Sequence, residues 1–255
     1  MNEIEFGGKK FTGPDSWEKM KAAQYLQWVR WQLSGAAHVG LYALLKLWFK
    51  LKSGDLRLLD DDQRATLVDT VFAFMSERPT HWMLPRVNIL LREYRGPGDR
   101  LQYLTFGEYM FAESVRKSID GMPTHEQMAE LAASIYRPYD SKREGKRAAF
   151  DAATYDDQIR RFERLSKEVL HGILINYYGC QDQLVTRFEH LYKGSSSESG
   201  SGGTWLDVGL NLARQTTALG SFHELERTNV YLVLTVLDNV VKEQAELKEN
   251  MNNHE

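Results

Sequence analysis

The sequence predicts an all-α protein: a helical body of stacked helical hairpins, followed by a small tethered C-terminal helical unit. Three observations carry this reading. Ser, Thr or Asp stands three positions ahead of Glu, Gln or Asp at Asp15/Glu18, Thr105/Glu108, Thr124/Gln127, Thr154/Asp157 and Ser221/Glu224, the spacing of a helix-opening capping box. Behind these pairs apolar residues recur at helical spacing. The Asn-Gly hairpin signal is missing and alternating runs are few.

Residues 1–14 carry Gly7, Gly8, Gly13 and Pro14 around isolated apolar residues and suit an irregular arm or a short strand. Asp15 and Glu18 then open a helix to about Leu33, with Ala22, Tyr25, Leu26, Val29 and Leu33 on one face. A second helix, about Ala37 to Lys52, is apolar almost all round and needs cover on more than one side. Asp60, Asp61 and Asp62 favour a helix N-terminus ahead of Leu67, Val68, Val71, Phe72 and Met75, and Pro79 ends that run. Pro85 and Gly96-Pro97-Gly98 flank the apolar segment Val87–Leu91, whose pattern fits strand or helix; helix is the reading taken here.

The stretch Leu104–Tyr139 holds the most consistent local signals. Thr105/Glu108 and Thr124/Gln127 open two helices, Leu104 and Tyr109 stand at staple positions, and Asp120, Gly121 and Pro123 supply the reversal between them. Arg137–Ala153 is polar and basic and reads as an exposed connection. Thr154 and Asp157 start the next helix, and the apolar pattern continues to Leu191 with a break or bend at Gly179. Residues 194–203, GSSSESGSGG, cannot bury anything worth their ordering entropy and read as a flexible linker. This gives a body over 1–193, a linker over 194–203 and a C-terminal unit over 204–255, where Trp205, Val208 and Leu212, then Val230, Leu234, Leu237 and Val241, keep the helical period.

At 255 residues, 42% hydrophobic and 26% charged, the chain can bury a substantial core. A net charge of −3 with mixed signs makes a general nucleic-acid or anionic-membrane surface unlike this composition. The single cysteine, Cys180, excludes an internal disulfide and fits a reducing compartment. The polar opening residues lack the pattern of a secretory signal, and the apolar run Val39–Phe49 is about half the roughly 20 residues a bilayer needs, so a cytoplasmic protein is expected.

No chemistry announces itself. His171, Cys180 and His190 could share an azimuth only along an unbroken helix and read as three separate residues; His125-Glu126 lacks the second histidine of a zincin, since Ala129 stands in its place. Walker A, dinucleotide and nucleophile-elbow patterns are missing, so neither a cofactor nor a metal is expected, and no catalytic residue is assigned. The basic run Lys142, Arg143, Lys146, Arg147, Arg160, Arg161 and Arg164 is diluted by Glu144, Asp151, Asp156, Asp157 and Glu163 and reads as a solvated face in preference to a single-strand site. Tryptophan does stand out. Trp17, Trp28, Trp31 and Trp48 crowd two predicted helices; core packing accounts for most of that surface, and an exposed fraction, expected at Trp28, Trp31, Trp48 and Phe49, would form a partner-binding face.

LTFGEYMFAES, LAASIYRPY and RFERLSKEVLHGILINYYGC, with the basic, apolar run to LYK, together resemble the tail-assembly chaperones of tailed phages and prophages. WLDVGLNLARQTTALGSFHELERTNVYLVLTVLD resembles C-terminal extensions found on some of them. The likeness spans Leu104–Lys193 and Trp205–Asp238 and rests on capping and apolar spacing. It implies a non-enzymatic protein of the bacterial host cytoplasm that keeps the long tape-measure protein soluble and passes it to tail-tube subunits, with self-association left open. A virion structural role, as tail connector or completion protein, is the alternative, and nucleic-acid binding is third.

Overall fold

The structure is a computed structural model that describes residues 2–35, 39–193, 204–215 and 219–252; the expected linker at 194–203 lies outside them. The protein is predominantly helical, with two small antiparallel sheets. In chain order the elements are β1 (Asn2–Phe6), β2 (Lys9–Gly13), α1 (Ala22–Leu33), α2 (Val39–Trp48), α3 (Ser53–Leu56) and α4 (Asp61–Phe72). Then come β3 (Arg86–Ile89), β4 (Arg92–Arg95), α5 (Phe106–Ser118), α6 (His125–Ile135), β5 (Arg137–Pro138) and α7 (Tyr155–Phe162). The series ends with α8 (Lys167–Arg187), α9 (Glu189–Lys193), α10 (Trp205–Gln215), α11 (Phe222–Arg227) and α12 (Val230–Asn252). Among the described residues no helix is long and apolar enough to cross a membrane. The chain divides into two compact units, 1–84 with 166–179 and 85–165 with 180–255.

In the first unit the expected arm is a hairpin: β1 and β2 pair from Asn2↔Gly13 to Phe6↔Lys9, turning at Gly7 and Gly8, both at positive φ. Asp15 does not open α1. It holds Lys19 at 2.9 Å beside a short 3₁₀ turn, Trp17–Lys19, and Gln24 caps α1 by accepting from the Lys21 amide. Asp60 caps α4 through the Gln63 amide at 2.8 Å, and Gln63 reciprocates. The core collects Tyr25, Trp28, Val29, Leu45, Trp48, Phe49 and Val71. The N-terminal part of α8 joins them: Tyr25 donates to the Gly172 carbonyl at 2.6 Å, while Asn176 accepts from the Met83 amide and donates to the carbonyls of Pro79 and His81. A single buried amide thus satisfies three backbone groups of an irregular loop.

Gly179 does not break α8, which runs unbroken from Lys167 to Arg187. A side chain at this position would run into the Pro79 carbonyl, so the glycine provides close approach where the sequence suggested a bend.

The second unit is built on α5 and α6, and both expected capping boxes are formed. The Thr105 amide donates to Glu108 at 2.9 Å and the Glu108 amide to Thr105 Oγ1 at 3.3 Å; Thr124 and Gln127 repeat the exchange at 3.0 and 3.1 Å. Ser221 and Glu224 do the same for α11. Thr154 makes no such bond: its hydroxyl donates to the Asp151 carbonyl at 3.0 Å and accepts from Gln158 at 3.1 Å, while the Asp157 side chain pairs with Arg160. The segment Val87–Leu91 is strand and turn, not helix: β3 pairs with β4 from Arg86↔Arg95 to Ile89↔Arg92, and Arg137 and Pro138 of β5 extend β4. Leu90 and Leu91 form the two-residue connection, and both have positive φ, as in a type I′ turn. Residues of the C-terminal region pack on α5. The Phe106 amide donates to Thr228 and the Val230 amide to Leu104, at 2.8 and 3.0 Å, and Trp205 meets Phe106 and Tyr109 edge-on.

Candidate functional site

The candidate site is a groove on the first unit of about 340 Å³, and its walls follow from three helices. α1 supplies Trp28, Trp31 and Gln32, α2 supplies Leu41, and α4 with the 3₁₀ turn after it supplies Val68, Asp69, Phe72, Met75 and Ser76. The helical period puts Trp28 and Trp31 one turn apart on one face of α1, and Val68 and Phe72 likewise on α4. Phe72 and Val68 are buried, Trp31, Leu41 and Met75 are half-buried, and Asp69 is exposed at the edge. The groove is therefore apolar below and charged at its lip. Trp31 Nε1 is itself buried and finds no acceptor among the described residues. A buried indole donor without a partner carries a desolvation penalty that an incoming acceptor would remove.

Of the four residues expected to form a partner-binding face, three lie in the interior. Trp28 is 3% exposed, stacked on Tyr25 at 5.6 Å and edge-on to Trp17 at 4.9 Å. Trp48 is 3% exposed, donates to Gln27 at 3.0 Å and meets Phe72 edge-on; Phe49 is 2% exposed. Trp31 alone keeps an accessible part, and Trp28 contributes only the wall beneath it. The sequence marks Val68 and Met75 only as apolar positions of one helix, and Leu41 falls in the second helix that is apolar almost all round.

The basic stretch after α6 is not an exposed connection throughout. Arg137 and Arg147 are buried in the second unit around Glu108, which caps α5 with one oxygen and meets both guanidinium groups with the other, at 2.7 and 2.8 Å. Arg137 also donates to the carbonyls of Ala133 and Tyr136 at the end of α6, at 2.7 and 2.6 Å, and to Ser134; Arg147 donates to Ile135 at 2.6 Å and to Tyr103. Burial, and after it Arg147, works against the charge of Arg137 and pulls its pKa down to about 10. These two arginines bind protein carbonyls, which is structural work. Arg160 is held by Asp157, and Arg161 donates to the Tyr94 hydroxyl at 3.2 Å.

His190 accompanies Asp238 at 3.2 Å, Cys180 is fully buried, and no group of three or more His, Cys, Asp or Glu able to hold a metal occurs among the described residues. No family model, no curated protein and no solved structure matches the chain.

Proposed function

We propose that the protein is a non-enzymatic tail-assembly chaperone, acting in the cytoplasm of a bacterial host, which holds apolar helical segments of a tape-measure protein and releases them to tail-tube subunits. The groove beside Trp31 is the observation that supports this reading. Its apolar floor, half-buried Trp31, Leu41 and Met75, and an indole donor with no acceptor among the described residues suit an amphipathic client helix, whose i and i+4 side chains would fill it while a polar group accepts from Trp31 Nε1. The α5–α6 pair would then be one of the stacked hairpins of a client-binding body. An acidic lip at Asp69 favours clients with lysine or arginine beside the apolar stripe.

Co-expression with a phage tape-measure protein tests the proposal. The expected result is a soluble, co-purifying complex that is lost in Leu41→Asp and weakened in Trp31→Ala, with both variants folded by circular dichroism. A client that is neither solubilised nor retained by wild type overturns it. Retention of the protein in purified tails would favour the connector reading instead.

A further inference from the structure

We propose that the Leu90–Leu91 turn is an apolar finger that seats in a groove on the first unit of a second copy of this chain, joining copies head to tail. The proposal stands independently of the chaperone reading, since it uses neither Trp31 nor its groove.

The finger is the least accounted-for feature of the surface. Leu90 is 67% exposed and Leu91 107%, and both have positive φ, 49° and 66°. A two-residue hairpin turn of this kind is met at least cost by Asn-Gly. Here it carries two leucines at positive φ, one mostly and one fully exposed. Covering the tip makes its apolar exposure favourable, and a strained turn of this kind persists where its side chains serve a contact. Beside the tip, β4 begins with the exposed Arg92, which pairs with Ile89 across the turn and whose guanidinium lies over the Tyr94 ring at 5.8 Å. The occupied surface must therefore be apolar at its centre and acidic at its rim.

This chain carries such a surface. On the first unit a groove of about 500 Å³ is floored by Ile4, Phe6, Leu59 and Leu67, all half-exposed, and rimmed by the exposed Asp60 and Asp62. The volume accommodates two isobutyl groups. Glu5 adds a third carboxylate to the rim, with Lys10 at 3.9 Å as its basic neighbour. Arg92 entering beside Asp60 and Asp62 gives charge complementarity as well as apolar burial, and that combination selects this groove over the one at Trp31, whose lip offers a single carboxylate. Since finger and groove are different surfaces, the contact is heterologous: each copy keeps a free finger and a free groove, and association continues to a ring or a chain.

Sedimentation velocity from micromolar to near-millimolar concentration tests this. Wild type is expected to form concentration-dependent oligomers. The double variant Leu90→Asn, Leu91→Gly suits the turn better than the native residues, so it folds, and it is expected to weaken association by more than about tenfold. Asp62→Lys should do the same from the groove side. Mixing these two variants leaves one intact finger and one intact groove, and restores a heterodimer that grows no further. A wild-type chain that stays monomeric, a finger variant that associates as wild type does, or a mixture that fails to pair each overturns the proposal.

Discussion

Glu108 and Arg137 meet at 2.7 Å with 2% and 1% of their side chains exposed, and Arg147 reaches the same carboxylate oxygen from its own position. One carboxylate therefore serves two buried guanidinium groups and caps α5 as well. Losing it leaves two cations in the interior with carbonyls, and for Arg137 the Phe150 ring, but without the carboxylate they share. Glu108→Gln is expected to destabilise the protein by about 3–5 kcal/mol, read as a lower urea midpoint with an unchanged slope. Arg147→Met, which removes the surplus cation and fills its volume, is expected to cost much less. A Glu108→Gln variant as stable as wild type would show that the carbonyls alone hold the arginines.

Gly179 supplies a second prediction, in which two effects oppose each other. Alanine is favoured over glycine inside a helix by about 1 kcal/mol. At this position, however, a Cβ meets the Pro79 carbonyl, which Asn176 already fixes through its side-chain amide at 3.0 Å. Overpacking against fixed backbone should win, so Gly179→Ala is expected to lose roughly 1–3 kcal/mol. A Cβ at Gly172 would lie 3.1 Å from the ring of Tyr25 and 3.4 Å from a methyl of Val29, a looser approach than the 2.4 Å to the Pro79 carbonyl at Gly179 and made to side chains instead of backbone, so Gly172→Ala should be milder. Comparing the two melting temperatures decides the matter.

These glycines also show where the sequence is legible. Helices opened by Thr105, Thr124, Ser221 and Asp60 are readable because each cap is a local hydrogen bond set by a three-residue spacing. What made Gly179 necessary lies 100 residues away in Pro79, beyond the reach of any local pattern. The β3–β4 hairpin was hidden for a different reason. Arg86, Val87, Asn88 and Ile89 alternate exposed and buried, but Leu90 and Leu91 of the turn follow Ile89 directly and make an apolar cluster that masks the alternation. At the candidate site, tryptophan crowding marked α1 and α2 together. It could not separate Trp31, which lines a groove, from Trp28, Trp48 and Phe49, which the core takes. The two compact units follow contacts between helices distant in sequence, a division that a reading along the chain does not express.

Cys180 yields a prediction in pH. Burial pushes its thiol up to about 12 from an ordinary 9.0, against the weaker opposing effect of the Arg100 and Leu101 backbone. The sign follows from which state holds the proton. Between about pH 9 and 12 the unfolded thiol ionises while the folded one stays protonated, so the folded state binds more protons and stability falls as pH rises. Native protein should resist a thiol reagent at pH 8 and react fully in urea. Above pH 9, Cys180→Ala should lose stability less steeply than wild type, by up to about 1.4 kcal/mol per pH unit. Equal slopes would place the thiol in contact with solvent.

Trp31 separates packing from recognition. Trp28→Ala removes a ring that touches Trp17 and Tyr25 in the core, and a loss of about 3–5 kcal/mol is expected, with any loss of binding following from unfolding. Trp31→Phe is the sharper variant. It keeps a large ring against Leu41 and Met75 but removes the N–H that has no acceptor among the described residues. Deleting an unsatisfied buried donor lifts a penalty of about 1–3 kcal/mol, which offsets the smaller ring, so the folded protein should be as stable as wild type or more so. A client that accepts from this indole would lose that hydrogen bond and bind roughly 5–10-fold more weakly, the equivalent of about 1–1.5 kcal/mol. Stability held while affinity falls is the signature of a group kept for a partner. Measured together by thermal melt and by client titration, the two numbers decide it: equal affinity in Trp31→Phe would make the indole a packing residue, and a drop in both would make it part of the core.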